Sequence, residues 1–98
     1  MSPARCAECG AELAPGDEAI EVDGRAGHRF ANRAGAVFTV DCYAHAPGCV
    51  AGGPATDEDT WFPGHTWQRA YCRACGTHAG WLFRSKARVF TALIAAAR

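Results

Sequence analysis

Cys6-Ala7-Glu8-Cys9-Gly10 and Cys72-Arg73-Ala74-Cys75-Gly76 are two matched C-x-x-C-G units in a chain of 98 residues. Each unit can fold as a tight knuckle that aims both sulfurs at one point. The trailing glycine supplies the positive φ that turns backbone N–H groups toward the thiolates. One pair alone would suit a redox motif. Two pairs with matching glycines suit a tetrahedral zinc site with Zn–S near ~2.3 Å, in preference to a disulfide framework. Four sulfurs leave no position open for water, so the expected cofactor is one structural zinc ion held by Cys6, Cys9, Cys72 and Cys75. The pairs stand at opposite ends of the expected core, about residues 6–94. The ion would therefore pin the first turn to the start of the last third. In small zinc peptides such a site contributes on the order of 10 kcal/mol or more to folding. Arg5 and Arg73 border the knuckles and read as solvated side chains.

The other two of the six cysteines read differently. Cys42 closes the alternating segment Val37-Phe38-Thr39-Val40-Asp41-Cys42, where Phe38, Val40 and Cys42 share a face. A buried free thiol is the default there. Cys49 follows Pro47-Gly48 in a loop and carries no expected role, and a second metal site from these two and His45 is disfavoured. Trp61, Trp67 and Trp81 form the other unusual group, three indoles in a small chain. Trp61 and Trp67 flank Pro63-Gly64, which can bring their rings together across a bend. Phe83 lies two residues after Trp81 and shares its face. Composition alone favours reading these rings as core.

The elements that must position these residues are short and separated by turns. Glu18-Ala19-Ile20-Glu21-Val22 alternates and ends at Asp23-Gly24, with Pro15-Gly16-Asp17 as a turn before it. Asn32-Arg33-Ala34-Gly35 reads as a hairpin turn feeding the strand that ends at Cys42. Residues 43–60 read as a loop with at most one short strand. Trp61-Phe62 reads as a strand end, Pro63-Gly64 as a tight turn, and Trp67 to Tyr71 as a strand entering the second knuckle. Gly80 to Arg84 is a further strand. Val89-Phe90 adds another before a short C-terminal helix through Leu93 and Ile94 into Ala95-Ala96-Ala97-Arg98. The class is mostly β and antiparallel, with zinc at one end, in a single domain over residues 1–98.

Composition narrows the function. Ten basic and ten acidic side chains cancel, so no broad field exists to hold nucleic acid or an anionic membrane. With 49% hydrophobic and 20% charged residues the balance is that of a globular protein. No apolar run reaches the length of a membrane span, and no signal-peptide core precedes Cys6. A cytoplasmic monomer without nucleic-acid or membrane partners is the expectation.

The run Thr60-Trp61-Phe62-Pro63-Gly64-His65-Thr66-Trp67, followed by Cys72-x-x-Cys75-x-x-His78-x-Gly80-Trp81-x-Phe83, resembles the thalidomide-binding (CULT) domain family of cereblon. The first knuckle, the Asn32-x-x-Gly35 turn and the Gly53-Pro54 step fall in the same order, so the resemblance runs from Cys6 to about Ile94. It implies two small antiparallel sheets meeting at a steep angle, pinned by the four-cysteine zinc, and a three-tryptophan cage for cyclic imides. Trp61, Trp67 and Trp81 would be the walls and Phe83 the floor. Asp59-Thr60-Trp61 would offer backbone groups to the imide edge, and Asn32 its side-chain amide. The chain departs from the family at Arg33, where proline is common, at His65, where tyrosine is common, and at Asp59, which replaces a bulkier residue beside the cage. The further domains that join eukaryotic cereblon to a ubiquitin ligase are not expected in this chain, which is similar to stand-alone bacterial members. The ligand would be a small cyclic imide, an imide-terminated peptide or a uracil-like edge.

Physical bookkeeping suits such a guest. A glutarimide presents C=O, N–H and C=O along one edge and methylenes elsewhere. Burying ~150 Å² of apolar surface contributes about 4 kcal/mol, and each hydrogen bond about 1 kcal/mol. Against an association cost of at least ~4 kcal/mol, affinity should be micromolar or weaker. A binder is expected, not an enzyme. Two rivals stand beside it. Asp57, Glu58 and Asp59 next to Trp61 could make the cage one for a methylated ammonium. A relative of the type-B methionine sulfoxide reductases would need a nucleophilic cysteine on a late strand, and none follows Cys75.

Overall fold

Turn residues and short alternating segments give eight strands in the computed structural model, which describes residues 2–95. β1 (Ala4–Arg5) and β2 (Glu12–Ala14) form a two-stranded antiparallel sheet around the first knuckle. A single 3-10 turn (Gly16–Glu18) follows. β3 (Gly27–Ala31), β4 (Val37–Tyr43), β5 (Cys49–Thr56), β6 (Thr66–Cys72), β7 (His78–Arg84) and β8 (Val89–Ile94) form the second sheet. Its order is β3-β4-β8-β7-β6-β5, antiparallel throughout. The mostly β, two-sheet expectation holds, with sheets of unequal size. No helix among the described residues is long and apolar enough to cross a membrane.

Both faces of the larger sheet are covered, and this sets the burial pattern of its central strands. On one face Val40, Cys42, Trp81, Phe83, Phe90 and Ala92 pack with Val22 and Phe62. On the other, Tyr43, Cys72, Ala79 and Leu93 pack with Cys6, Leu13 and Ala14 from the small sheet. Neighbours such as Cys42 and Tyr43, or Ala92 and Leu93, therefore serve opposite cores, as the period of two requires. Buried residues run consecutively from Phe90 to Leu93.

Four expectations need correction. Leu93 and Ile94 are not helical: they pair with Gly80 on one side and with Asp41 and Val40 on the other. Ladder bonds from two neighbours outweigh the helical preference of an alanine-rich end. Residues 96–98 of the expected helix lie outside the described residues. Glu18 to Val22 makes only isolated bridges, Ala19 to Tyr43 and Val22 to Arg25, although Ile20 and Val22 do face the core as their alternation implied. Residues 49–56, expected mainly as loop, form β5. Pro54 is tolerated there because β5 is an edge strand whose pairing slips between Gly52 and Thr56. Trp61 and Phe62 lie in a bend rather than at a strand end.

Two irregularities position the site. The Asn32–Gly35 turn joins β3 to β4 as expected, with Gly35 N–H donating to the Asn32 carbonyl and Gly35 at φ 89°. In the β6–β7 pair, Ala70 faces Gly80 while Tyr71 faces His78, so Ala79 is an extra, bulged residue. Simple alternation would place His78 opposite to Trp81. The bulge re-aims it onto the Trp81 side, where the two rings meet edge-on at 4.8 Å.

The tightest approach in the sheet lies beside that bulge. A Cβ at Gly80 would stand 2.1 Å from the Ala92 carbonyl oxygen, whereas one at Gly24 would meet open space. Gly80→Ala should therefore force β7 from β8 and cost about 2–3 kcal/mol or more. Gly24→Ala, with only the positive φ to oppose it, should cost about 1–2 kcal/mol. Urea denaturation of the two variants checks the ordering.

Candidate functional site

The two knuckles are built alike. Gly10 N–H donates to the Cys6 carbonyl at 2.9 Å and Gly76 N–H to the Cys72 carbonyl at 2.8 Å. The two glycines have φ of 77° and 78°, the conformation expected of them. All four sulfurs of Cys6, Cys9, Cys72 and Cys75 lie within 4.8 Å of one another. Cys6 to Cys75 and Cys9 to Cys72 each measure 3.7 Å. A sulfur tetrahedron with ~2.3 Å metal–ligand bonds has edges of about 3.8 Å, so these two edges match a coordination shell, and all six lie within 4.8 Å. They are too far apart for disulfides. The N–H groups of Cys75 and Ala74 bring the Cys72 thiol down to about 7 against the opposing effect of burial, while burial and the neighbouring thiols leave Cys9 and Cys75 raised, as expected of crowded sulfurs. The donor set thus fits a metal ion.

The flanking arginines are less idle than expected. Arg5 donates to the Gly10 carbonyl at 3.2 Å. Arg73 donates to the carbonyls of Pro47 and Cys49 at 3.3 and 3.4 Å, tying the second knuckle to the start of β5. Cys42 is a buried thiol, pushed up to about 12 by burial, and Cys49, half-buried beside Cys72, is pushed up to about 11 for the same reason. His45 pairs with Glu18 at 2.8 Å. Among the described residues the only cluster with metal-ligand spacing is the four-cysteine one.

On the opposite face of the large sheet lies a cleft of about 820 Å³. Trp61, Trp67, Trp81, Phe83, Asn32, Asp59 and Thr60 all line it. Strand register accounts for half of this. Trp67 faces Phe83 and Arg69 faces Trp81 across β6–β7, so these side chains share one side of the sheet. Phe83, 1% exposed and stacked on Phe90, forms the base. Trp61 arrives from the bend and meets Trp81 at 4.6 Å and 66°, which makes a corner of two walls. Its other face stacks on Phe30 at 4.8 Å. Trp67 is fixed by its indole N–H, which donates to the Glu58 carbonyl at 2.8 Å.

The bend itself is anchored by His65. His65 Nδ1–H donates to the Pro63 carbonyl at 3.0 Å, and its Nε2 accepts from Arg88 at 3.1 Å. Arg88 also reaches Asp23 at 3.2 Å and covers the Phe90 ring. These bonds require the neutral Nδ1–H tautomer of a ring that is 6% exposed.

The polar groups of the cleft are partly committed. The Asn32 side-chain carbonyl accepts from Ala36 N–H at 2.9 Å, so its NH2 is the end that can turn to a guest. Thr60 N–H donates to the Asp57 carbonyl and its hydroxyl to the Phe62 carbonyl, so Thr60 can offer a ligand its carbonyl but neither of these donors. Asp59 has φ 54°, and its carboxylate binds Arg33 together with Glu58, at 3.4 Å for the latter. That pair bridges the β3–β4 turn and the 57–60 loop over the mouth. Sequence reasoning missed Phe38, Arg33, Arg69 and His78 as lining residues. Phe38 meets Trp81 at 5.1 Å, and its alternation with Val40 already placed it on this face.

A mostly β domain with a four-cysteine cluster that could hold a metal on one side of a sheet and an aromatic, polar-rimmed cleft on the other is compatible with a ligand-binding domain. No family model matches the chain. Over 34 residues, 35% of its length, it is 53% identical to protein cereblon of Gallus gallus and equally to protein cereblon of Xenopus tropicalis. That stretch spans 7% of either relative, so a cereblon-like relationship is carried by about a third of this chain.

His78 offers a check on the geometry. Its Nε2–H donates to the Gly80 carbonyl at 2.9 Å. Burial, with the charge of Arg69 behind it, holds the ring below the ordinary value of 6.5, although the Gly80 bond works the other way. Folding then favours the neutral ring. Its contribution is present above the unfolded value and is lost as pH falls through the folded one. An NMR titration of the imidazole should give a midpoint under 6.5 that rises in Arg69→Gln; a midpoint at or above 6.5 contradicts this placement.

Proposed function

We propose that the chain is a non-enzymatic binding domain of the cereblon-like kind, holding one structural zinc ion and reading a neutral cyclic imide in its aromatic cleft. The observation that carries the reading is the convergence of Trp61, Trp67 and Trp81, from separate stretches, with Phe83 on a single cleft. Indole faces suit the methylenes of a glutarimide, and the Asn32 amide and the 59–61 backbone can answer its C=O and N–H edge. An imide at the end of a peptide chain would present the same ring, with the chain leaving through the open mouth.

The charges argue for a neutral ring over a methylated ammonium. Of the three acids that would attract a cation, Asp57, Glu58 and Asp59, the two that line the cleft, Glu58 and Asp59, are engaged by Arg33. Arg69 stands in the cleft wall, where it would repel one. A reductase reading gains no support from the free thiols. Cys42 and Cys49 have thiols pushed up to about 12 and about 11, which leaves little thiolate at neutral pH.

Zinc is the ion that best suits four thiolates in a tetrahedron closed to water. Purified protein should contain one zinc per chain by mass spectrometry of the metal. Cys75→Ser should lower that content and the thermal midpoint together, and a strong chelator should unfold the parent. For the cleft, tryptophan fluorescence during titration with glutarimide should show quenching with a dissociation constant of micromolar or weaker. Trp81→Ala should abolish it, and tetramethylammonium should give no response. Quenching by the cation alone would overturn the imide reading.

A further inference from the structure

Six strand-borne side chains share the cleft side of the β6–β7 pair. They are Trp67, Arg69 and Tyr71 from β6, and Phe83, Trp81 and His78 from β7. Five are rings. The sixth, Arg69, sits directly opposite Trp81 in the register and lines the cleft. Directly opposed residues in an antiparallel pair have Cβ atoms about 5 Å apart, so the guanidinium rises beside the indole wall.

Its electrostatic setting differs from that of the other cleft arginine. Arg33 is neutralised by Glu58 and Asp59. No carboxylate of the described residues forms an ion pair with Arg69. The imidazole beside it is His78, brought to this side by the Ala79 bulge, and not an acid. The mouth is therefore polarised. Carboxylates gather on the side of the β3–β4 turn and the 57–60 loop, and an unmatched cation stands on the side of the sheet.

We infer that Arg69 is a specificity-determining residue that selects ligands bearing a carboxylate on the substituent leaving the ring, such as an imide-terminated peptide with an acidic residue before the imide. The assignment rests on the imide reading above. The ring binds through the indole walls, and its substituent passes the rim, where Arg69, in no ion pair with a carboxylate of the described residues, receives an anion. A guanidinium answers a carboxylate with two parallel N–H donors, a geometry that a lysine does not reproduce. At an exposed position the selectivity is modest, roughly three- to tenfold, and sensitive to salt.

The test compares N-succinyl-3-aminoglutarimide with its methyl ester, two probes that share the ring and differ in one charge. The parent, loaded with metal, should bind the acid about three- to tenfold more tightly than the ester at low salt, with the difference shrinking as salt rises. Arg69→Gln should equalise the two, the acid losing its roughly three- to tenfold advantage over the ester. Arg69→Lys should restore part of the preference. Equal binding of both probes by the parent, or a preference that survives in Arg69→Gln, overturns the role of Arg69 while the cage stands. Failure of both probes to bind the folded parent overturns the imide reading and the Arg69 assignment with it.

Discussion

Four sulfurs drawn to within 4.8 Å of one another are the constraint from which the rest of the arrangement follows. Thiolates so close repel one another, which is why a cation suits the cluster, and it joins positions more than sixty residues apart in the chain. Closing so long a loop is entropically costly for a small domain with little core to spare. Once closed, the second knuckle dictates where β6 ends and β7 begins. The pairing of those strands then places Trp67 against Phe83 and Arg69 against Trp81. A cysteine cluster on one side of the sheet thereby determines the alignment of the rings on the other.

Much of this was legible because the signals are local. A C-x-x-C-G unit states its ligands and its turn in five residues, and both knuckles adopt the positive-φ glycine that the pattern demands. Trp81 and Phe83 share a face by parity alone. The order of the Trp61–Trp67 run and its neighbours supplied the cleft residues, and all seven named for it line one cavity.

What was not legible depended on partners distant in sequence. β5 is rich in Ala, Gly and Pro and shows no alternation, because an edge strand half open to solvent needs none. Leu93 and Ile94 sit at an alanine-rich end whose local preference is helical, and their strand state comes from β4 and β7 on either side. His78 could not be assigned to the cleft by counting in twos, since the Ala79 bulge inverts the parity. The binding of Arg33 to Glu58 and Asp59 joins segments about 25 residues apart and leaves no mark in either.

The large sheet gives its two faces different neighbours: most of the aromatic rings and the cleft on one, Cys6 and Cys72 with Tyr43, Leu13 and Leu93 on the other. Adjacent residues of a strand therefore answer to different demands. Cys42 and Ala92 stand behind the rings, while Tyr43 and Leu93, one peptide bond away, stand behind the metal ligands. A lineage could retune the rim or walls of the cleft, residue by residue, while the anchoring side stayed untouched. The backbone of a single sheet is common to both, and it works as a partition between the cleft and the cysteine cluster.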